Sequence, residues 1–301
     1  MASPEHNNWK GTTGGLPWMQ RTLVRWLAVI DVRIAYCFVA VFVIPFYMLF
    51  THYGYIAQYR FFREVFGYSC IKSFFSVYKN ECKFSQIIID RFAVYGGKKY
   101  KFDIEPSEFE LWQTLELGEK GFVQLSAHIG NYEIAGYLLQ AEHKEINALV
   151  FSGETQTVMT NRAKVFTPNG IKMVPVSSDM SHVFTLSNAL SNNEIISMPG
   201  DRMFGSKKFV ECNFFDKTAR FPIGPFQLAV LHETPIVCVF VMKKTYDEYK
   251  IIIRELNIPE GEDIKKSQKI ASLVSQYSEI LESTVKNYPT QWFNYFDFWN
   301  Q

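Results

Sequence analysis

The sequence predicts an α/β fold, with a central mixed sheet flanked by helices, preceded by a helical region that associates with a membrane. After residue 95, short apolar runs alternate with segments of helical periodicity, which is typical of an α/β layer fold. Before it, residues 34–50 form an apolar stretch without a charge. We therefore expect two parts, a basic, aromatic, membrane-associating helical region at 1–95 and an α/β domain at 96–301.

The charge of the chain is unevenly distributed. The whole chain carries a net charge of +1, yet residues 1–101 hold thirteen Lys and Arg against five Asp and Glu, which gives +8 there and −7 in the remainder. A basic segment that is also rich in aromatic side chains favours contact with anionic lipid. The cations are interleaved with Phe and Val runs, which argues against nucleic acid as a partner.

The stretch at 34–50 is 17 residues long, the lower limit for crossing the hydrocarbon core of a bilayer, and Pro45 interrupts it. Both of its flanks are basic, whereas a crossing segment would have one flank depleted of Lys and Arg. We therefore expect a re-entrant or interfacial helix on the cytoplasmic leaflet. A single-pass anchor and a buried helix of a soluble protein stay open as alternatives.

Apolar and turn patterns predict the elements of the rest of the chain. Aromatic residues at three- and four-residue spacing predict a helix within 56–92, and Gly96-Gly97 marks the turn into the α/β part. The predicted strands are Gly121–Ser126, Ile146–Phe151, Ile171–Val176, Glu194–Met198, Pro235–Met242 and Tyr249–Glu255. The predicted helices lie near 131–141, 155–166, 179–191, 224–232 and 262–287.

The five cysteines are scattered and never form a C-x-x-C pair. This pattern predicts neither a disulfide framework nor a zinc site. We expect no metal and no cofactor, and a reducing compartment.

The segment from Ser126 to Glu133 has the strongest catalytic potential. His128 follows a predicted strand, and Glu133 comes five residues later, which on a regular helix would turn the two side chains about 140° apart. Gly130-Asn131 can supply a bend that brings them together, and Asn131 is a good residue to cap a helix. We predict that Glu133 orients His128 and that His128 takes a proton from an attacking hydroxyl.

That spacing is weak evidence when taken alone. With six His and 30 acidic residues in 301, a histidine followed at this distance by an acid arises often by chance. A buried structural histidine is the competing interpretation. The order of two further segments favours the catalytic one.

The second segment is Ser197–Arg202, where Pro199 and Gly200 allow a tight turn after a predicted strand. Asp201 and Arg202 are candidate substrate-binding residues, because a guanidinium can bind a phosphate or carboxylate through two hydrogen bonds. The alternative is a surface turn with a solvated ion pair.

The third segment runs from Arg220 to Val237. A loop that carries Arg220 leads into a helix beginning near Gly224, and helix N-termini attract anions. We predict that Arg220 and Gly224 bind a phosphate of the donor or of a headgroup. Ordinary Pro- and Gly-rich connection chemistry is the alternative.

Taken in order, these segments resemble the lysophospholipid acyltransferase superfamily, and within it the lauroyl and myristoyl acyltransferases of lipid A synthesis. In that superfamily the H-x4-[DE] block is catalytic, which points to His128 and Glu133. The other matching positions are Gly130 and Asn131 within the block, Pro199, Gly200, Asp201 and Arg202 in the second segment, and Pro222, Gly224, Leu228, Ala229, Pro235 and Val237 in the third.

The resemblance implies an α/β core like that of glycerol-3-phosphate acyltransferases and an acyl carrier protein or coenzyme A thioester as donor. It also implies a lipid or glycolipid acceptor, and attachment to the cytoplasmic face of a bacterial inner membrane. The C-terminal segment 291–299 lacks the arginine-rich ending of many lipid A enzymes, which argues against lipid A as the acceptor and leaves an ornithine or glycine lipid, a glycolipid or a polyene headgroup equally open. A thioesterase or lipid hydrolase that uses the same pair on water, and a non-catalytic membrane-binding relative, are the other hypotheses. No G-x-S-x-G segment is present to support a serine hydrolase.

Overall fold

The computed structural model describes residues 17–50, 52–135, 139, 141–150, 156–177, 179–203, 208–261 and 263–300. Its helices are α1 Pro17–Val29, α2 Val32–Phe38, α3 Ile44–Phe50, α4 His52–Arg60, α5 Cys70–Tyr95, α6 Pro106–Leu117, α7 Tyr132–Ala135, α8 Gln156–Phe166, α9 Ser181–Ser191, α10 Gly224–His232 and α11 Lys266–Asn287. Its strands are β1 Lys101–Ile104, β2 Phe122–Ser126, β3 Ile146–Val150, β4 Ile171–Pro175, β5 Ile195–Pro199, β6 Phe209–Phe214, β7 Lys217–Pro222, β8 Ile236–Lys243 and β9 Glu248–Leu256.

Seven strands form one mixed sheet in the order β1-β9-β8-β2-β5-β3-β4. All neighbours are parallel except β8 and β9, which pair antiparallel. Every residue of β8 is buried, as expected for a central strand whose sequence is a nearly continuous apolar run. The predicted α/β class with a mixed central sheet is therefore confirmed.

Three strands and one helix lie where the sequence predicted none. β1 has a half-exposed pattern without clear alternation, and α6 follows it directly. β6 and β7 form an antiparallel hairpin whose turn residues Phe215 and Asp216 both have positive φ, near 54° and 57°. A two-residue turn with both residues in that region matches the twist of a hairpin, although the usual Asn-Gly signal is absent.

Helix α5 connects the N-terminal helices to the α/β core. Its side chain Val77, together with Phe61 and Phe62 just before it, joins the core cluster that also contains Val123 of β2 and Trp292 near the C-terminus. Helix α5 ends at Tyr95, and one of its faces packs into the sheet and helices that follow, so the division of the chain after residue 95 stays a prediction.

The segment Val32–Phe50 has the length and composition needed to cross a membrane, with a mean hydropathy of 2.1 and 17% of the tested residues buried in the protein. The helix continues through Pro45 because the turn that precedes this proline, at Val39–Val43, is a wider π-helical turn. A proline cannot donate to the carbonyl four residues earlier, and a π turn accommodates that missing hydrogen bond without ending the helix.

A buried ion pair ties the first helices to the sheet. Lys243 at the end of β8 contacts Asp90 of α5, and both side chains have at most 1% of their surface exposed. The hydroxyls of Tyr36, Tyr100 and Tyr249 donate to the same carboxylate. Such a pair is stable when hydrogen bonds occupy its remaining oxygen positions, as they do here.

Candidate active site

The site lies at the carboxyl end of two neighbouring strands. In the register of β2 and β5, Ser126 pairs with Pro199, so the two parallel strands end together. His128 follows β2 by two residues and Asp201 follows β5 by two residues. Chain segments 73 residues apart therefore meet at one edge of the sheet, where ligand sites of open α/β sheets are usually found.

The imidazole of His128 is held by Asp201. Its Nδ1 lies 2.8 Å from Asp201 Oδ1, and the backbone N–H of His128 donates to Asp201 Oδ2, also at 2.8 Å. An ionised carboxylate only accepts hydrogen bonds, so Nδ1 carries the proton and Nε2 carries the lone pair. The carboxylate thus determines both the orientation and the tautomer of the ring.

The electrostatic surroundings favour a neutral imidazole. Burial lowers the pKa of His128 below its usual 6.5, and the charge of Arg202 lowers it further, while Asp201 acts in the opposite direction. For Asp201, burial raises the pKa, but the interaction with His128 and the charge of Arg202 outweigh it, so that its pKa is lowered. A neutral imidazole beside an ionised carboxylate is the arrangement of a general base.

Glu133 occupies a different position from the one that the sequence predicted. Its Oε1 accepts hydrogen bonds from Tyr95 Oη at 2.8 Å and Arg162 Nε at 3.2 Å, and its Oε2 accepts one from Arg162 Nη2 at 3.0 Å. Arg91 Nε lies 2.8 Å from Oε2 as an ion pair, although its N–H does not point at a partner. The prediction that Glu133 holds His128 is therefore wrong for the described contacts: Asp201 holds the ring.

The physical reason is the charge that surrounds Glu133. Two guanidiniums bind this carboxylate from α5 and α8, and a neutral imidazole cannot compete with them. Burial raises the pKa of Glu133, but the charges of Arg91 and Arg162 outweigh it and bring the pKa to about 2. The cluster of two cations and one anion retains one positive charge beside His128.

Gly130 and Asn131, predicted to bind substrate, make contacts within the fold. Gly130 has φ +57°, and a Cβ at that position would overlap the carbonyl oxygen of Val241, so only glycine fits. Asn131 is 2% exposed; its Oδ1 accepts from the N–H of Ile134 at 3.3 Å, and its Nδ2 donates to Tyr249 Oη at 3.2 Å. The predicted bend and helix cap are both present, and they position the loop that carries His128.

Arg202 lies behind the His128–Asp201 pair. Its Nη2 donates to the carbonyl oxygen of Phe293 at 3.1 Å, and its guanidinium lies 5.5 Å from the ring centre of Phe296. Its charge reaches His128 through space, as the lowered pKa of that residue indicates. Arg202 was predicted to bind substrate, and in the structure it anchors the C-terminal segment beside the site.

Arg220 and Gly224 lie apart from this site. Arg220 is exposed on β7, where its Nε lies 3.0 Å from Glu211 Oε1 on the paired strand β6 and its guanidinium covers the ring of Phe209. Gly224 begins α10. Neither residue lines the cavity beside His128, so their predicted role in phosphate binding stays a prediction.

A cavity of about 130 Å³ opens beside the loop that carries His128 and extends across the face of β2, β5 and β3 towards α8. His128, Tyr132, Glu133 and Arg162 form its polar end. The remainder is mostly apolar and includes Leu139, Ile146, Ala148, Leu149, Val150, Phe166, Ile171 and Met198. A polar mouth and an apolar interior suit a ligand with a reactive head and a hydrocarbon tail.

Sequence reasoning missed Arg91, Tyr95 and Arg162 as site residues. Arg91 was counted among surface cations, yet its side chain is 12% exposed and contacts Glu133. A basic residue on an otherwise apolar face of α5 was the available signal, but its partner comes from a distant segment. Among the described residues, no group of three or more His, Cys, Asp or Glu could hold a metal ion.

The chain is similar to one protein family and to individual acyltransferases of two bacteria. Residues 85–300 match the model of the bacterial lipid A biosynthesis acyltransferase family. A phosphatidylinositol mannoside acyltransferase of Mycobacterium tuberculosis is 27% identical over 111 residues, which cover 36% of this chain and 35% of that protein. The crystal structure of a 1-acyl-sn-glycerophosphate acyltransferase, PlsC, from Thermotoga maritima aligns over 92% of this chain and 99% of that one, with 12% identity and a TM-score of 0.37. Because the family match covers well over half of its residues, the chain belongs to the bacterial lipid A biosynthesis acyltransferase family.

Proposed function

We propose that the protein transfers a fatty acyl group from an acyl carrier protein or coenzyme A thioester to a hydroxyl or amine of a lipid or glycolipid acceptor. The observation that carries the proposal is the His128–Asp201 pair at the polar end of an apolar cavity. Family membership supports it. The mycobacterial relative acylates a phosphatidylinositol mannoside by its name, which supports a glycolipid among the candidate acceptors.

In this mechanism His128 Nε2 removes the proton of the acceptor hydroxyl or amine as that group attacks the thioester carbonyl carbon. The new C–O or C–N bond forms, the C–S bond breaks, and the thiolate takes the proton back from the imidazolium. Asp201 keeps the proton on Nδ1 and stabilises the imidazolium that forms between the two steps. A general base of this kind contributes a factor of about 10²–10⁴ in rate.

Glu133 has a positioning role in this proposal. It binds Arg162, which lines the polar end of the cavity, and also Arg91, so that the cluster retains one net positive charge. Negative charge develops on the carbonyl oxygen in the transition state, and a fixed positive charge inside a water-poor site stabilises it. The two residues of the H-x4-E pair thus have separate roles: the histidine is the base, and the glutamate positions the arginines.

The first helices provide the surface that would meet the membrane. Of the 26 exposed large hydrophobic side chains among the described residues, 18 lie between Trp18 and Phe75. Soluble monomers seldom expose such a concentration of apolar surface, and Trp and Phe are suited to the interface of a bilayer. We propose that this face binds the cytoplasmic leaflet of a bacterial inner membrane through apolar insertion and basic charge. Binding to vesicles with anionic lipid should weaken as the salt concentration rises. If salt did not change the binding, basic charge would not contribute to it, and apolar insertion alone would be left.

The decisive experiment compares the wild type with His128→Ala, supplied with labelled acyl carrier protein or acyl coenzyme A and a lipid extract of the source cells. His143→Ala is a matched control, because His143 is exposed and does not line the cavity. We expect labelled lipid from the wild type and the control and a loss of about 10²–10⁴-fold in His128→Ala. Equal transfer by His128→Ala would refute the mechanism. Free fatty acid formed at one rate with or without acceptor would indicate a hydrolase instead.

A further inference from the structure

The cavity has polar side chains on its floor, away from the reacting end. Gln124 and Ser126 of β2 and Ser197 of β5 line it among the apolar residues. Gln124 pairs with Ser197 in the sheet register, so the two lie side by side on adjacent strands. These three residues, which we call the floor group, have no part in the mechanism proposed above.

The amide oxygen of Gln124 lacks a hydrogen-bond partner. The residue is 7% exposed, and its Oε1 is buried without a donor. Ser126 is similarly buried, at 8%. A buried amide that is left unpaired opposes folding, and nearly all such groups in proteins find a partner. A side chain of this kind facing a ligand cavity points to a partner that arrives with the ligand.

The floor group is aligned with the catalytic histidine. Gln124 and Ser126 alternate along β2, so their side chains share one face of the sheet, and His128, two residues after the strand, lines the same cavity. At about 3.3 Å per residue, Ser126 lies roughly 7 Å and Gln124 roughly 13 Å along the strand from His128. An acyl chain whose thioester carbon is at His128 would pass Ser126 near the middle of a twelve-carbon chain and Gln124 near its far end.

We infer that the floor group binds a hydroxyl on the acyl chain, so that the preferred donor is a hydroxyacyl thioester with its hydroxyl in the middle or the far part of the chain. Gln124 and the two serines can each accept from or donate to such a hydroxyl. A hydroxyl of the acceptor headgroup shares this chemistry, but the apolar side chains around the floor group suit a hydrocarbon chain. This inference rests on the proposed acyl transfer.

The test measures kcat/KM for a set of dodecanoyl thioesters with one lipid extract as acceptor. The set carries a hydroxyl at carbon 7, opposite Ser126, at carbon 11, opposite Gln124, or at no carbon, on whichever carrier supports transfer. The variants are Gln124→Met, which keeps the length of the side chain and removes its hydrogen bonds, and Ser126→Ala. Gln113→Met on the exposed face of α6 is the matched control, because it makes the same change away from the cavity.

For the wild type and Gln113→Met we expect a preference of about tenfold for one of the hydroxylated donors, the worth of one net hydrogen bond. In Gln124→Met this preference should vanish, and the unsubstituted donor should be used at least as well as by the wild type, since no unpaired amide then faces its methylenes. Ser126→Ala should lose part of the preference, and it provides a second measurement if Gln124→Met folds poorly.

Several outcomes would overturn the inference. Equal use of all three donors by the wild type would show that nothing on the acyl chain meets the floor group. A preference that Gln124→Met and Ser126→Ala both retain would place the hydroxyl elsewhere. A loss of activity in Gln124→Met that is equal for all three donors would assign the amide to the acceptor. These results all require measurable transfer, so they differ from failure of the proposed function, in which no donor is transferred by the wild type.

Discussion

Replacing Asp201 with asparagine separates the role of this carboxylate from that of Glu133. The Asp201 carboxylate accepts two hydrogen bonds, from the ring Nδ1 and from the backbone N–H of His128. An asparagine has one oxygen and one NH₂ group. If its oxygen remains with the backbone N–H, its NH₂ faces Nδ1, and the ring proton is driven to Nε2, where it prevents Nε2 from accepting the proton of the acceptor.

The expected loss follows from removal of the base. We expect kcat of Asp201→Asn to fall by about 10²–10⁴-fold, the usual contribution of general base catalysis. This factor corresponds to about 3–5 kcal/mol in the activation free energy. KM should change little, because Asp201 does not line the cavity that would hold the acyl chain.

A pH profile distinguishes this effect from general damage to the site. The rate requires a neutral His128, and burial lowers the pKa of this residue below 6.5, so the acid limb of kcat/KM should lie below pH 6.5 in the wild type. The charge of Asp201 raises the pKa of His128. Its removal should therefore move the residual acid limb of Asp201→Asn to still lower pH. Glu133→Gln is the comparison variant and should leave the position of the limb unchanged.

The measurement is thiol release from the acyl donor in the presence of lipid acceptor, at a series of pH values, with circular dichroism to check folding. If Asp201→Asn kept activity within about threefold of the wild type while a folded Glu133→Gln lost its acid limb, the ring would be oriented by Glu133 during turnover. The assignment of the base and its partner made above would then be wrong.

Three further changes test the surrounding charges. Glu133→Gln should lower the free energy of unfolding by about 3 kcal/mol at pH 7, since the pKa of Glu133 falls from 4.5 to about 2 on folding. In urea titrations this difference from the wild type should shrink as the pH falls from 4.5 towards 2. Lys243→Met should lower the free energy of unfolding by about 3–5 kcal/mol, measured by heat or urea, because it leaves Asp90 buried without its cation. The double variant Lys243→Met, Asp90→Asn should lose much less. Equal losses in the two variants would argue against the ion pair. Arg202→Gln should move the acid limb of kcat/KM to higher pH, because the Arg202 charge lowers the pKa of His128; an unmoved limb would contradict that coupling.

Local patterns predicted most of the sheet. The continuous apolar run of β8 and the short runs of β2 to β5 were located within one or two residues, because a buried strand requires such runs whatever its neighbours are. β6 and β7 were missed, since alternate residues of this hairpin are exposed and its turn uses Phe215-Asp216 in place of glycine. Pairing between the two strands stabilises them, and that pairing is not encoded in either segment alone.

The candidate site shows the same division. His128, the Gly130-Asn131 bend and the neighbouring Asp201 could be read from residue types and their order, because a strand end, a glycine turn and a helix cap are local features. The partner of His128 could not be identified from such local features. In sequence, Glu133 is five residues from His128 and Asp201 is 73 residues away, and only the parallel register of β2 with β5 makes the distant residue the nearer one in space.

The sequence by itself determined the fold class and the apolar N-terminal helix and pointed to His128 as the candidate base, since each follows from chain-local hydrophobicity, charge and turn chemistry. Tertiary structure decided which carboxylate holds that histidine and which one binds the arginines of α5 and α8. It also left Gln124 unpaired in the cavity. Strength of interaction between ionised groups depends on distance and burial, and both are properties of the assembled sheet and helices.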